Sequence, residues 1–147
     1  MIKTIGSFVS TVLFVYVLGA VIVSQGNIAS VVAMGFEIGP ALRLDAAVHD
    51  VLNMWGIYLP LVALSLLLGL PVASAIAIKK PQLRLLGYVL AGFVALMAMP
   101  IIMKAVLGIS GIAATRTLGG LLAQGFAGGA GGYLFYRLTS GVTNARD

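Results

Sequence analysis

The side chains best suited to chemistry fall in one short stretch: Asp45, His49 and Asp50, with Glu37 upstream. Asp45 and His49 are four residues apart, a spacing that puts both on one helix face. Such a pair can ligate a metal, or the carboxylate can orient the imidazole as a proton acceptor titrating near physiological pH. The donor set is sparse: a single histidine, and no second cluster at metal-ligand spacing. No cysteine is present, which removes disulfides, thiolate metal sites and thiol nucleophiles. Ser24, Ser30 and Ser110 offer hydroxyls, but no motif joins them to His49. A phosphate-cradling glycine loop, an H-E-x-x-H pair and a nucleophile elbow are all missing. The expectation is therefore no catalytic residue, no metal and no cofactor, with Asp45, His49 and Asp50 forming the solvated polar face of a surface helix.

Three other polar residues stand among apolar neighbours. Gln124 is the one strongly polar side chain deep in a glycine-rich run, and it shares a helical face with Gly120 and Gly128. An interhelical hydrogen bond is its expected role, with a pore-lining role as the alternative. Lys104 and Arg116 flank the last two apolar runs. An ionisable group at membrane depth is expensive and tends to find a partner. Arg116 is expected to pair with Asp50 first and Asp45 second, or else to meet an anionic headgroup.

The elements that must position these residues follow from composition. Of 147 residues, 61% are hydrophobic and 9% charged, against roughly 45–50% and about 25% in soluble domains. A bilayer, not water, is the matching solvent. The net charge of +5 comes from scattered cations at the ends of apolar runs, a membrane signature that speaks against nucleic acid as a partner. Four runs, at residues 5–23, 55–78, 85–103 and 117–136, reach about the length a helical crossing needs. The first is longer than a secretory h-region and is expected to remain uncleaved. Apolar residues are consecutive, not alternating, which favours helices over a barrel. Pro60, Pro71 and Pro100 predict kinks.

Between the first two runs lies an outer segment, residues 24–54. Gly26 to Gly39 reads as a surface-lying or re-entrant stretch. Beyond Pro40, Leu44, Val48, Val51, Leu52 and Trp55 recur at helical spacing, with Asp45, His49 and Asn53 on another face. That pattern predicts a short amphipathic helix at the outer membrane surface. Placing both termini in the cytoplasm puts Lys3, Lys79, Lys80, Arg84, Arg137 and Arg146 inside, against Arg43, Lys104 and Arg116 outside. Trp55 and Tyr58 then mark the outer interface, and Tyr88, Tyr133 and Tyr136 the inner one.

Small residues predict where helices approach closely. Gly125 and Gly129, and again Gly128 and Gly132, form overlapping G-x-x-x-G pairs in the last run, and Gly87, Ala91 and Ala95 are expected to answer them from the third. The fold class expected is all-α, a single polytopic membrane domain of four transmembrane helices with an interfacial helix between the first and second. Its expected setting is a plasma or bacterial inner membrane, with lipid and a second copy or another membrane protein as partners. The expected function is a structural or accessory subunit. A small channel or transporter, and a membrane enzyme acting at the outer interface, are the alternatives.

Overall fold

The computed structural model describes residues 2–108 and 113–143. Helix α1 runs from Ile2 to Ala33, 32 residues, or about 48 Å at 1.5 Å per residue. It continues well past Val23, through the stretch expected to lie on the surface. A single glycine, Gly26, costs only about 1 kcal/mol of helix propensity, and no proline follows until Pro40. The helix stops where Met34 and Gly35 donate to the carbonyls of Val31 and Val32 at 3.1 and 2.9 Å. Gly35 turns the chain at φ +93°, which only glycine adopts cheaply.

Pro40 then opens α2, Pro40–Asn53, at the first-turn position where its missing N–H is not needed. This helix packs antiparallel against α1: Gln25 donates to the Arg43 carbonyl at 3.1 Å, and the Tyr16 hydroxyl donates to the Val51 carbonyl. A short turn, Met54–Gly56, leads into α3, Tyr58–Lys79. α3 begins three residues after the expected start because Gly56 interrupts the run and Pro60 fits a first turn. Pro71 lies inside α3 without ending it. The basic turn around Pro81 feeds α4, Arg84–Leu107, which carries Pro100 and is closed by Gly108 at φ +69° donating to the Lys104 carbonyl. The turn Ala113–Arg116 precedes α5, Leu118–Thr143, whose start is capped by the Thr117 hydroxyl accepting from the Gly120 N–H at 3.1 Å.

Three segments are long and apolar enough to cross a membrane: Lys3–Ala33, Tyr58–Lys79 and Pro81–Val106. α5 has the length, at 26 residues, but its eight glycines dilute its hydropathy and it is not among them. Among the described residues every regular element is a helix or helical turn, and there is no strand.

α4 lies between α3 and α5, and α1 contacts α2, α3 and α5. The α4/α5 contact is backbone on backbone. A Cβ on Gly92 or Gly128 would fall within the other's carbonyl, and one on Gly132 would meet the Tyr88 carbonyl. Gly125 sits under Phe93 and Met97, whose side-chain atoms lie 2.8 Å from where its Cβ would be. The Gly129 position is looser, with nothing nearer than 3.6 Å. The expectation that Gly87, Ala91 and Ala95 answer these glycines is corrected: that stripe faces α3. Gly69 of α3 nestles against the Ala91 carbonyl and the Ala95 methyl, and Gly87 lies by the Ala73 carbonyl. α4 is sandwiched, and one residue further on its 100° turn carries Tyr88, Gly92 and Leu96 toward α5 instead.

The inside holds Val15, Tyr16, Tyr58, Val62, Leu66 and Leu96 together with polar Thr11 and Gln124, while Leu68, Val72, Val94 and Phe126 are more than half exposed. Apolar residues outside and polar groups inside suit lipid as the surrounding medium. Leu121 and Leu134 of α5 are half-buried.

The glycine contacts give a graded prediction. Gly128→Ala should lower stability by about 1–3 kcal/mol through overpacking, whereas Gly129→Ala should be neutral or slightly stabilising, since alanine has less backbone entropy to lose on folding. Thermal unfolding of the two purified variants compares them; equal tolerance would remove the backbone-contact account.

Candidate functional site

The centre of the molecule is organised by Gln124. α5 carries it between Gly120 and Gly128, so no neighbouring side chain on that face screens it from α1 and α3. Its Oε1 accepts from the Tyr58 hydroxyl at 2.5 Å, and its Nε2 donates to the Gly19 carbonyl at 3.1 Å. Gln124 is 0% exposed and Tyr58 2%. An amide enclosed without partners would cost several kcal/mol; here both its ends are bonded. Gly19 is a glycine for a specific reason: a Cβ there would coincide with the Tyr58 hydroxyl. The Tyr16 and Tyr58 rings pack with centroids 6.0 Å apart, and Tyr16 in turn holds Val51. One connected set of contacts thus ties α5 to α3, α1 and α2.

The outer residues do not converge. Asp45 and His49 are exposed and share no bond; His49 Nδ1 instead lies 3.6 Å from Asp50 Oδ1, its sequence neighbour, with the imidazole 71% exposed. Asn53 donates to the His49 carbonyl at 2.7 Å. Among the described residues, no three His, Asp or Glu side chains come within reach of one metal ion. Lys104 and Arg116 are exposed at the ends of α4 and of the turn before α5. The expected pair between Arg116 and Asp50 or Asp45 does not form. The turn that bears Arg116 packs on α1 and α5, and α2 packs on α1, so the two elements share α1 as a neighbour without bringing their charges into an ion pair. Ser110 lies outside the described residues.

Two further features were not anticipated. Arg84 is held at the start of α4: its Nη2 reaches the Thr139 hydroxyl at 3.4 Å, and its guanidinium lies 6.0 and 5.7 Å from the Tyr88 and Tyr136 ring centroids. Tyr88 is itself buried, sharing a 2.9 Å hydrogen bond with Ser74 and meeting Phe135 edge-on. Tyr58 and Tyr88, read as interface anchors, are therefore core residues, while Trp55 at 63% exposure and Tyr133 at 47% face outward. The second feature is a cleft of about 580 Å³ between the C-terminal part of α1 and the start of α5, lined by Gln25, Ser30, Thr117, Gly119, Gly120 and Ala123. Its polar side chains are already engaged: Gln25 on Arg43, Ser30 on the Gly26 carbonyl, Thr117 on the Gly120 N–H. Ala123 on its wall is the residue before the enclosed Gln124.

In comparisons with known proteins, no family model, no curated protein and no solved structure matches this chain.

Two outcomes follow. Gly19→Ala should destabilise by about 1–3 kcal/mol, and Tyr58→Phe should recover part of that loss in the double variant, because the hydroxyl is what the new methyl meets; additive losses in a thermal-unfolding cycle would reject the contact. Arg116→Gln and Asp50→Asn should each change stability by under about 1 kcal/mol and combine additively, as for exposed, unpaired charges. A coupling energy of several kcal/mol in the same assay would mean that the two meet after all.

Proposed function

We propose that the chain is a small integral membrane protein with a structural or accessory role, crossing the membrane with α1, α3, α4 and α5 and presenting its outer helices to a second copy or to another membrane protein. The observation that carries this reading is how its polar groups are used. The one strongly polar enclosed side chain, Gln124, directs its bonds to Tyr58 and Gly19, holding helices together. The described acidic and histidine side chains lie at one end, where His49 meets only its sequence neighbour Asp50 and no cluster of three forms. Ser24 Oγ is buried without a partner, but a bundle whose one enclosed amide is consumed by holding helices together is suited to scaffold and partner contact.

The fourth crossing is supported by packing where hydropathy falls short. α5 follows α4 antiparallel through Gly125, Gly128 and Gly132, so a helix that close to a crossing helix crosses with it. α1, at about 48 Å, exceeds the roughly 30 Å hydrocarbon core. Its last third rises above the membrane, and α2 descends beside it. α2 turns Asp45, His49 and Asn53 to water and Leu44, Val48 and Leu52 toward lipid, joined there by Trp55 of the turn that follows. The cation distribution places both termini in the cytoplasm of a cell whose plasma or inner membrane holds the protein.

A conducting role is the second reading, favoured by the cleft between α1 and α5 with its amide and hydroxyl lining. It needs a path past Gln124, which is 0% exposed.

Reporter fusions at Lys80 and after Arg146 should read as cytoplasmic and one near Glu37 as exported. A cytoplasmic Glu37 reporter would sink the orientation. Mass measurement of the assembly taken directly from membrane should give a defined oligomer or hetero-complex; a ring around a central axis would move the assignment to a channel.

A further inference from the structure

Between α3 and α4, on the side away from α1 and α5, the small contacts Gly69, Gly87, Ala91 and Ala95 leave a furrow walled by larger side chains. Its inner segment is about 320 Å³, running under Ile76, Leu83, Leu86 and Leu90. Its outer segment, about 370 Å³, continues to Ile102, and the two share Val72, Ala91 and Val94. From Leu83 to Val94 the furrow follows α4 for about 17 Å, close to half of the roughly 30 Å hydrocarbon thickness. That is the depth of one leaflet.

The inner segment ends at Ile76 and Leu83, and the turn that joins these two carries Lys79 and Lys80, both exposed and next to the furrow, not in its lining. Arg84 follows it, fixed by Tyr88, Tyr136 and Thr139. Lys3 and Arg137 lie at the same end of the bundle, because α1 and α5 run antiparallel to their neighbours. The three described carboxylates, Glu37, Asp45 and Asp50, are all at the other end. A groove that is apolar in its depth and, among the described residues, flanked only by cations at this end matches one amphiphile.

We propose that this furrow seats an anionic glycerophospholipid of the cytoplasmic leaflet, with its phosphate at Lys79 and Lys80 and an acyl chain along Leu83 to Val94. The inference rests on the membrane-spanning reading of α3 and α4. A second copy is a poorer occupant. Copies share one membrane orientation, so a two-fold contact across this face would bring two Lys79–Lys80 turns together with no carboxylate between them. A lipid phosphate supplies the missing charge.

The test equilibrates the full chain in vesicles of equal phosphatidylglycerol and phosphatidylcholine, extracts it gently, and quantifies the retained lipid by mass spectrometry. The wild-type protein should retain phosphatidylglycerol over phosphatidylcholine by roughly tenfold, the scale two lysines near a headgroup provide. K79Q/K80Q should abolish that preference, whereas K3Q/R137Q, which removes the same charge outside the furrow, should keep it. Leu90, a half-exposed wall residue, gives a second probe: Leu90→Trp should displace the acyl chain and cut total retained lipid. Equal loss in both charge variants would replace the site by a diffuse surface potential, and unchanged preference in K79Q/K80Q would overturn it. Loss of a dimer mass in Leu90→Trp would assign the furrow to a second copy. Failure of the protein to enter vesicles at all would count against the membrane reading itself, an outcome separate from any change in lipid preference.

Discussion

Everything in this bundle depends on a buried amide having its hydrogen bonds met. Gln124 is fully enclosed, so no bulk water completes its bonding and the helices that carry its partners must arrive at fixed positions. Tyr58 has to enter from the first residue of α3, and the Gly19 carbonyl has to present its second lone pair from the side of α1. Neither requirement is local. Gly19 must lack a side chain for the Tyr58 hydroxyl to pass, and α3 must begin after the Met54–Gly56 turn for Tyr58 to sit at its head. The same tyrosine ring leans on Tyr16, whose hydroxyl fixes α2. A single amide thus sets the register of α5 and the landing point of α2, with α1 and α3 as intermediaries.

The close contacts do the complementary work. Lipid chains are as apolar as the side chains they touch, so apolarity alone does not choose which helix faces which. Shape does. Gly92 and Gly128 bring α4 and α5 to backbone contact, and Gly69 lets α3 settle on Ala91 and Ala95. Because these two contacts lie on adjacent stripes of α4, that helix cannot rotate to improve one without losing the other. The proposed lipid furrow is the by-product of the second contact: small residues at the centre of the α3/α4 seam, large ones at its edges.

Much of this was readable from residue order, and what was not has a common cause. The apolar runs gave the helices to within a few residues at most ends, since length and composition alone decide whether a segment can cross. Gln124 stood out because an amide amid glycines and leucines has no other explanation than a partner. Its partners did not stand out. Tyr58 next to Trp55 looks like an interface anchor, and nothing in one dimension tells a tyrosine that points to headgroups from one that points inward. Gly19 sits in a run of valines and leucines, where a glycine is the only trace of a side chain arriving from another helix. The stripe Gly87, Ala91 and Ala95 was recognisable as a packing surface, yet its partner was assigned to the wrong neighbour, because spacing reports a face and not what lies across it. Arg116 failed for the same reason: being on the same side of the membrane as Asp50 is not adjacency. The extension of α1 to Ala33 was hidden by Gly26 and Asn27, residues that break helices in water and are outweighed here by packing against α2.

α5 shows how these constraints combine. Eight glycines in 26 residues would each cost about 1 kcal/mol of helicity in water, enough to unfold an isolated segment. In hydrocarbon the alternative to a helix is a set of unsatisfied peptide groups, each costing several kcal/mol, so the penalty is overridden. On the proposed membrane reading, α1, α3 and α4 are apolar enough to enter lipid on their own terms, whereas α5 is carried by what it docks on. Its glycines lower its affinity for lipid and raise its affinity for α4 and α1, and Gln124 adds a bond that exists only once Tyr58 and Gly19 are in place. The helix with the weakest claim to the membrane is therefore the one that makes the other three a single structure.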